Sequence, residues 1–295
     1  MITKIIHHIA PKDKSRWHPM WLRCYPTWQQ HFPDFEHNIW SDEFDIDELV
    51  REHYPQYWQL YQDFPAHINR LDFARFCILH KFGGIYADMD MFCYKNFYSE
   101  LTHDLHIVEA PYGEEFLESS LMMSVPDHEF WLACMDLSKH HFYTHVQSQK
   151  IQIPFNNNRA TQYILQSVAG PNLICRVWRL HHHTGRIQTI PGVLYNNHGM
   201  SYHPEYRTKH MMTGMWGKES MDYIQQVTRT QNFQQQLAEG YIKEMQQYVQ
   251  LNGVTVDTFD FYHDYTNGGM KTHFIIDMDR SNVDNQVKQS GFSYD

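Results

Sequence analysis

The stretch from Pro65 to Phe92 constrains this chain more than any other part of it. Ile68, Leu71, Ala74, Ile78 and Phe82 recur at three and four residues, the spacing of one helix face. Pro65 suits the start of such a helix, and Gly83-Gly84 stops it, because glycine readily takes the left-handed conformation that closes a helix. The chain then runs directly into Ile85-Tyr86-Ala87-Asp88-Met89-Asp90-Met91-Phe92, an apolar strand followed by acidic residues. A long helix that turns straight into a strand belongs in a layered α/β structure.

Other segments support that class. Ile2 to Ile9 reads as a first strand and Phe35 to Trp40 as a second. Between them, Trp21, Cys24 and Trp28 keep helical spacing, with Pro26 expected to interrupt it. Ser41-Asp42-Glu43 resembles an N-cap with acidic residues in the first turn, and the helix after it should break near Pro55. Leu105–Ala110, Leu121–Val125, Ile187–Ile190 and Val193–Tyr195 are strand-like, whereas Asp127–His140 and Asn157–Val168 are helical. Alternating strands and helices in the first half predict a mostly parallel sheet. The Gln-rich stretch from Glu219 to Gln250 reads as largely helical, and no internal repeat or linker stands out.

Composition then narrows the function. With 42% hydrophobic and 20% charged residues, the 295-residue chain can build a large core, and its 15% aromatics belong mainly to that core. The net charge of −10 argues against non-specific nucleic-acid binding, which needs a basic surface. No apolar run is long enough for a transmembrane helix, and Met1–Ala10 lacks the features of a signal peptide. Five scattered cysteines, none in a CxxC pair, predict free thiols in a reducing, cytoplasmic setting. Successive residues point in different directions, so His181-His182-His183 reads as surface rather than as a metal triplet.

The chemistry concentrates in the opening block. Asp72 and Arg75 lie three apart on the helix and share a face, where a surface ion pair is the plainer reading. Asp88 and Asp90 lie two apart at a strand end, so both carboxylates fall on one side. Like charges so placed favour an intervening cation, and Mn²⁺ or Mg²⁺ suits oxygen donors while leaving positions open for phosphates. A second such triplet, Asp277-Met278-Asp279, has no glycine pair or Asp/Arg helix before it and reads as a solvated strand end.

The run from Asn69 to Asp90 resembles the DxD region of glycosyltransferase family 32. That family includes yeast-type α-mannosyltransferases and capsular polysaccharide transferases, and its DxD region is shared with clostridial glucosylating toxins. Lys4–Ile9 is similar to the family's opening strand. The same holds for the segment Trp28 to Trp40, the turn Ala169-Gly170-Pro171 and the ending His210 to Trp216. Departures are Ala10, Ala169 and Met215, where the family has Trp, Thr and Ser.

The resemblance implies a GT-A fold, a Rossmann-like α/β nucleotide-sugar-binding domain with a mostly parallel sheet and added helices. Residues 1–217 would be the catalytic core and 218–295 a helical C-terminal extension packed on the same domain. It implies metal ligation by Asp88, Asp90 and His210, and donor contacts from Ile9, Asp72, Arg75, Asp88 and Trp216. Asp72, Arg75, Asp88 and Asp90 would form the catalytic set. The implied activity is metal-dependent retaining transfer of a hexose or N-acetylhexosamine to a glycan or other hydroxyl acceptor. A UDP-sugar is the favoured donor and GDP-mannose the second. No residue is placed by motif as a base on the β face of the sugar; Glu109 and Glu118 are nearby acids. Alternatives are a non-catalytic nucleotide-sugar or glycan-binding protein and a haloacid-dehalogenase-like phosphatase.

Overall fold

The computed structural model describes residues 1–211 and 213, except 42–43, 65, 111–112, 148–165, 182–184 and 197–203, together with 258–264 and 271–277. The chain divides into two units, residues 1–229 and 230–295. In the first, β1 (Ile5–Ile9), α1 (Trp21–His31) and β2 (Glu36–Trp40) are followed by three helices: α2 (Asp45–His53), α3 (Trp58–Asp63) and α4 (His67–Phe82). Then come β3 (Gly84–Ala87), β4 (Met91–Cys93), β5 (Leu105–Ala110), β6 (Gly113–Ser124) and α5 (Glu129–His141). Further along the unit lie α6 (Pro171–His181), β7 (Ile187–Ile190), α7 (Gly192–Tyr195) and β8 (Thr208–His210).

The main sheet runs in the order β2-β1-β3-β6-β5-β7. The pairs β1–β2, β1–β3 and β5–β7 are parallel, and β6 runs antiparallel to both of its neighbours. The α/β class and the mostly parallel sheet therefore hold. A second, two-stranded sheet pairs β4 with β8.

α4 forms where the periodicity places it. Its closing turn depends on glycine twice over. Gly83 and Gly84 have φ of +63° and +87°. A Cβ on Gly83 would lie 2.6 Å from the Pro126 nitrogen, and one on Gly84 2.5 Å from the Ile5 carbonyl oxygen. Only glycine lets β3 start this close to β1. Two buried histidines then tie β1 to this turn and strand. The Trp40 indole donates to His7 Nδ1 (3.1 Å), so His7 Nε2 carries the proton and donates to the Gly83 carbonyl (3.0 Å). His8 Nδ1 donates to the Ala87 carbonyl (2.7 Å). Burial lowers both pKa values, to about 4 for His7 and about 3 for His8, so both stay neutral. The core beside the sheet includes Ile6, Trp28, Phe32, Ile85, Met91, Phe97 and Leu121, in keeping with the aromatic-core reading.

Several local expectations need correction. α1 continues through Pro26 instead of ending there. The carbonyl deprived of its bond belongs to Leu22, which is 50% exposed, so water can satisfy it. α2 starts at Asp45 with no side-chain cap from its N-cap Phe44, although Asp45 accepts from the Ser41 N–H (2.9 Å). Asp42 and Glu43 lie outside the described residues. Val193–Tyr195 is part of a helical turn, because Pro191 precedes it as N-cap and Gly192 packs too closely on Glu109 to carry a Cβ. β6 is twelve residues long, starting well before Leu121; Glu114, Glu115, Glu118, Ser119 and Ser120 hid its first half. Of Asn157–Val168, only the final three residues are described, and they are helical.

In the second unit the described residues are two antiparallel strands, β9 (Thr258–Asp264) and β10 (Lys271–Asp277). They lie within the stretch expected to be a helical extension, and Glu219–Gln250 lies outside the described residues. Asp277 ends β10, while Met278 and Asp279 are outside them. Among the described residues no helix is long and apolar enough to cross a membrane. All five cysteines are buried free thiols.

Candidate functional site

α4, the β3–β4 turn, β6 and β8 deliver the site. On α4, Asp72 and Arg75 share a face as their spacing requires, but it is an inner face. They are 6% and 7% exposed, which corrects the surface-pair reading. Arg75 Nη1 lies 2.9 Å from Asp72 Oδ1 and Nη2 3.2 Å from Asp88 Oδ1. Nη1 also donates to Ser119 Oγ (2.9 Å), and the guanidinium carbon stands 5.1 Å from the centre of the Tyr86 ring. The Tyr86 hydroxyl donates to Asp88 Oδ1 (2.8 Å). One cation thus holds two carboxylates over an aromatic face. Its Nε is buried with no hydrogen-bond partner among the described residues.

Asp88 follows β3 and is pinned by its N–H to the Ser120 carbonyl (2.8 Å). Its own carbonyl accepts from the Met91 N–H (3.0 Å), closing the turn that swings Asp90 round. β4 begins at Met91, which pairs with His210 on β8. This pairing brings His210 Nε2 to 3.3 Å from Asp90 Oδ1. Thr213 just beyond β8 donates its N–H (2.9 Å) and hydroxyl (2.8 Å) to Asp90 Oδ2.

The electrostatics split the site. Burial pushes Asp72 up to about 6, against the pull of Arg75 and with help from the Asp88 charge. Asp88 is also raised, by burial first, with Arg75 opposing and Asp90 adding. One guanidinium between a buried and a half-buried carboxylate cannot hold both low. Burial acts against the charge of Arg75, but Asp88, Tyr86 and Asp72 outweigh it and keep the guanidinium protonated. At Asp90 burial acts upward too, yet the bonds from His210 and Thr213 bring it down to about 2. Burial would lower His210, but Asp90, helped by Asp88 and Glu118, raises it above its ordinary value.

Asp88, Asp90 and His210 offer ligand atoms that all lie within 4.8 Å of one another. Two carboxylates and one imidazole around such a space fit a divalent cation, which would relieve the carboxylate repulsion. Ile9 ends β1 and is buried, two residues past the point where His7 pairs with Tyr86 on β3. Trp216 lies outside the described residues. The expected turn at Gly170 also joins the site. A Cβ there would stand 3.1 Å from Asp72 Oδ2 and 2.8 Å from the Gln166 Cα, so glycine allows the turn to sit against the aspartate. Sequence reasoning missed Ser119 and assigned no role to Thr213 or Tyr86. Of these only Tyr86 carried a signal, its place two residues before the first aspartate, on the strand face opposite Ala87.

Residues 19–108 match the family described as "Glycosyltransferase sugar-binding region containing DXD motif". A mannosyl phosphorylinositol ceramide synthase of Saccharomyces cerevisiae is 28% identical over 142 residues, which cover 48% of this chain and 36% of the relative. An inositol phosphoceramide mannosyltransferase of Schizosaccharomyces pombe is 34% identical over 92 residues, covering 31% of this chain and 25% of the relative. The matched stretches thus span about a third of the first relative and a quarter of the second. Among solved structures, the ligand-free glycosyltransferase domain of the YGT toxin aligns with a TM-score of 0.47 at 9% identity, over 64% of this chain and 80% of that domain.

Proposed function

We propose that the protein is a metal-dependent, retaining GT-A glycosyltransferase that moves a hexosyl group from a nucleotide-diphosphate sugar to a hydroxyl acceptor, glycan or other. The observation that carries this reading is the convergence of Asp88, Asp90 and His210 within 4.8 Å, beside a buried Asp72–Arg75 pair. A bound divalent cation would supply Lewis-acid neutralisation of the departing diphosphate. Asp88, Asp90 and His210 would hold it. Mn²⁺ is favoured over Mg²⁺, because Mg²⁺ keeps to oxygen donors and one ligand here is an imidazole.

The chain's own residues prepare the rest. Arg75 keeps a positive charge beside Asp72 and Asp88, and fixed charge aimed at a reacting centre requires no reorganisation during the reaction. Asp72, raised to about 6, serves either as an acceptor or as a donor toward sugar hydroxyls near neutral pH. The mannosyl relatives support a mannose donor such as GDP-mannose alongside the UDP-sugars. The buried free thiols support a reducing, cytoplasmic setting.

The test is release of nucleoside diphosphate from GDP-mannose and from UDP-hexoses, with and without Mn²⁺. Metal-dependent release from one donor is the expected result. Donor binding without turnover would point to a binding protein, and phosphate release from a phosphomonoester to a phosphatase. NMR of the anomeric centre of the product should show an α linkage from an α-linked donor. A β product would overturn retention and require a base such as Glu109 or Glu118.

A further inference from the structure

The DxD turn carries four carboxylate oxygens, and the described residues engage three of them. Asp88 Oδ1 accepts from the Tyr86 hydroxyl (2.8 Å) and faces Arg75 Nη2 (3.2 Å). Asp90 Oδ2 accepts twice from Thr213, from its N–H (2.9 Å) and from its hydroxyl (2.8 Å). Asp90 Oδ1 is the oxygen turned to His210 Nε2, at 3.3 Å. Asp88 Oδ2 takes neither of the bonds made by its twin.

We infer that Thr213 is a positioning residue for Asp90. By occupying Oδ2 from two directions it fixes the rotation of the carboxylate, so that Oδ1 is the oxygen offered beside Asp88 and His210. The terminal torsion of an aspartate is soft, and a single bond leaves the carboxylate free to rock. Two donors from one residue remove that freedom. The backbone register makes this geometry reproducible: Met91 pairs with His210, and the Met211 N–H donates to the Asp90 carbonyl (2.9 Å). His210, Met211 and Thr213 therefore all bond the same aspartate. Loss of a ligand-orienting partner of this kind typically weakens metal affinity by about 10–100-fold.

The inference rests on the metal reading above, and its test separates the two. Mn²⁺ alone is titrated into wild-type protein and into Thr213→Val, Thr213→Ala, Thr213→Ser and Asp90→Asn variants, with free ion followed by electron paramagnetic resonance and no donor present. Valine keeps the shape and the backbone N–H but removes the hydroxyl, and should weaken Mn²⁺ binding about tenfold. Alanine provides a second hydroxyl-free variant should valine disturb the fold. Serine restores the donor, and should bind within about twofold of wild type. Wild-type affinity in the folded valine or alanine variant would overturn the role of Thr213. So would a serine variant as weak as valine, because the methyl group would then be what matters. Wild-type protein that does not bind Mn²⁺, or binds it no better than Asp90→Asn, would instead overturn the metal reading.

Discussion

Asp88 and Asp90 sit two residues apart on one turn, yet their surroundings push one carboxyl up and the other down. Asp88 belongs to a region built from contiguous chain, α4 and β3, where it shares one guanidinium with Asp72. Asp90 belongs to a region closed from far away, by His210 and Thr213. In the first, burial outweighs a divided positive charge. In the second, several donors converge on one carboxylate and outweigh burial. Adjacent acids whose environments separate them this way divide their work: the raised one gives up its charge more readily, and the other holds it. Asp90 is thus the firmer anion for a cation, and Asp88 the member coupled to Arg75.

The largest expected effect comes from breaking the second region. Asp90→Asn removes the anion that stays charged and should cut turnover by about a thousandfold, since metal-centred charge stabilisation contributes several kcal/mol. Circular dichroism should show an unchanged fold, because the side chain stands at a strand end. Retention of a tenth of wild-type rate in saturating Mn²⁺ would remove Asp90 from the metal site.

Breaking the first region should show in activity and stability together. Arg75→Lys keeps a charge but loses the fork that bridges Asp72 and Asp88. Turnover should fall on the order of 100-fold, the scale of a lost electrostatic stabiliser. Arg75→Met leaves the buried Asp72 and the half-buried Asp88 without their cation and should destabilise the fold by about 3 kcal/mol in denaturant titration. An Arg75→Met variant as stable as wild type would mean that the buried clamp contributes nothing to folding.

The two regions also differ in how far they could be read from sequence. α4, the glycine turn and β3 depend on spacing and turn chemistry within one short stretch, so the Asp72, Arg75, Asp88 and Asp90 set was legible. The resemblance also pointed to His210, but its pairing partner Met91 could not be read, because β4 and β8 are three-residue strands that form only against each other. Ser119 lies in a polar half of β6 that carries no strand-like alternation of apolar residues, yet it is buried because α4 covers it with Arg75. Short-range pattern finds the elements. It does not find side chains whose role depends on which distant backbone arrives beside them.

Removing the Tyr86 hydroxyl tests the first region more gently. Tyr86→Phe keeps the ring under Arg75 but deletes the bond to Asp88 Oδ1. A hydrogen bond to a charged group contributes about 1.5–3 kcal/mol, so thermal unfolding should shift detectably while turnover falls far less than in Arg75→Lys. An equal loss of turnover in both variants would mean that the hydroxyl, and not the guanidinium, organises Asp88.

The smallest expected effect is a pH dependence that belongs to the second region. His210 must be neutral to ligate a cation, and Asp90 raises its pKa above the ordinary 6.5. The sign follows from which state holds the proton. Below the ordinary value, protonated His210 is fully paired with Asp90 and stabilises the metal-free fold. That contribution is lost as pH rises through the raised folded value. Metal binding follows the opposite course. A proton must leave for each ion bound, so Mn²⁺ affinity should strengthen with pH by up to about tenfold per unit until His210 is neutral, then level off. The stability of the metal-free protein should decline gently across the same interval, while that of the Mn²⁺-loaded protein should not. Isothermal titration in two buffers of different ionisation enthalpy would count the released proton. A His210→Gln variant should release none and should lose the slope. If its slope matches that of wild type, the titrating group lies in the first region, where Asp72 near 6 is the nearest candidate.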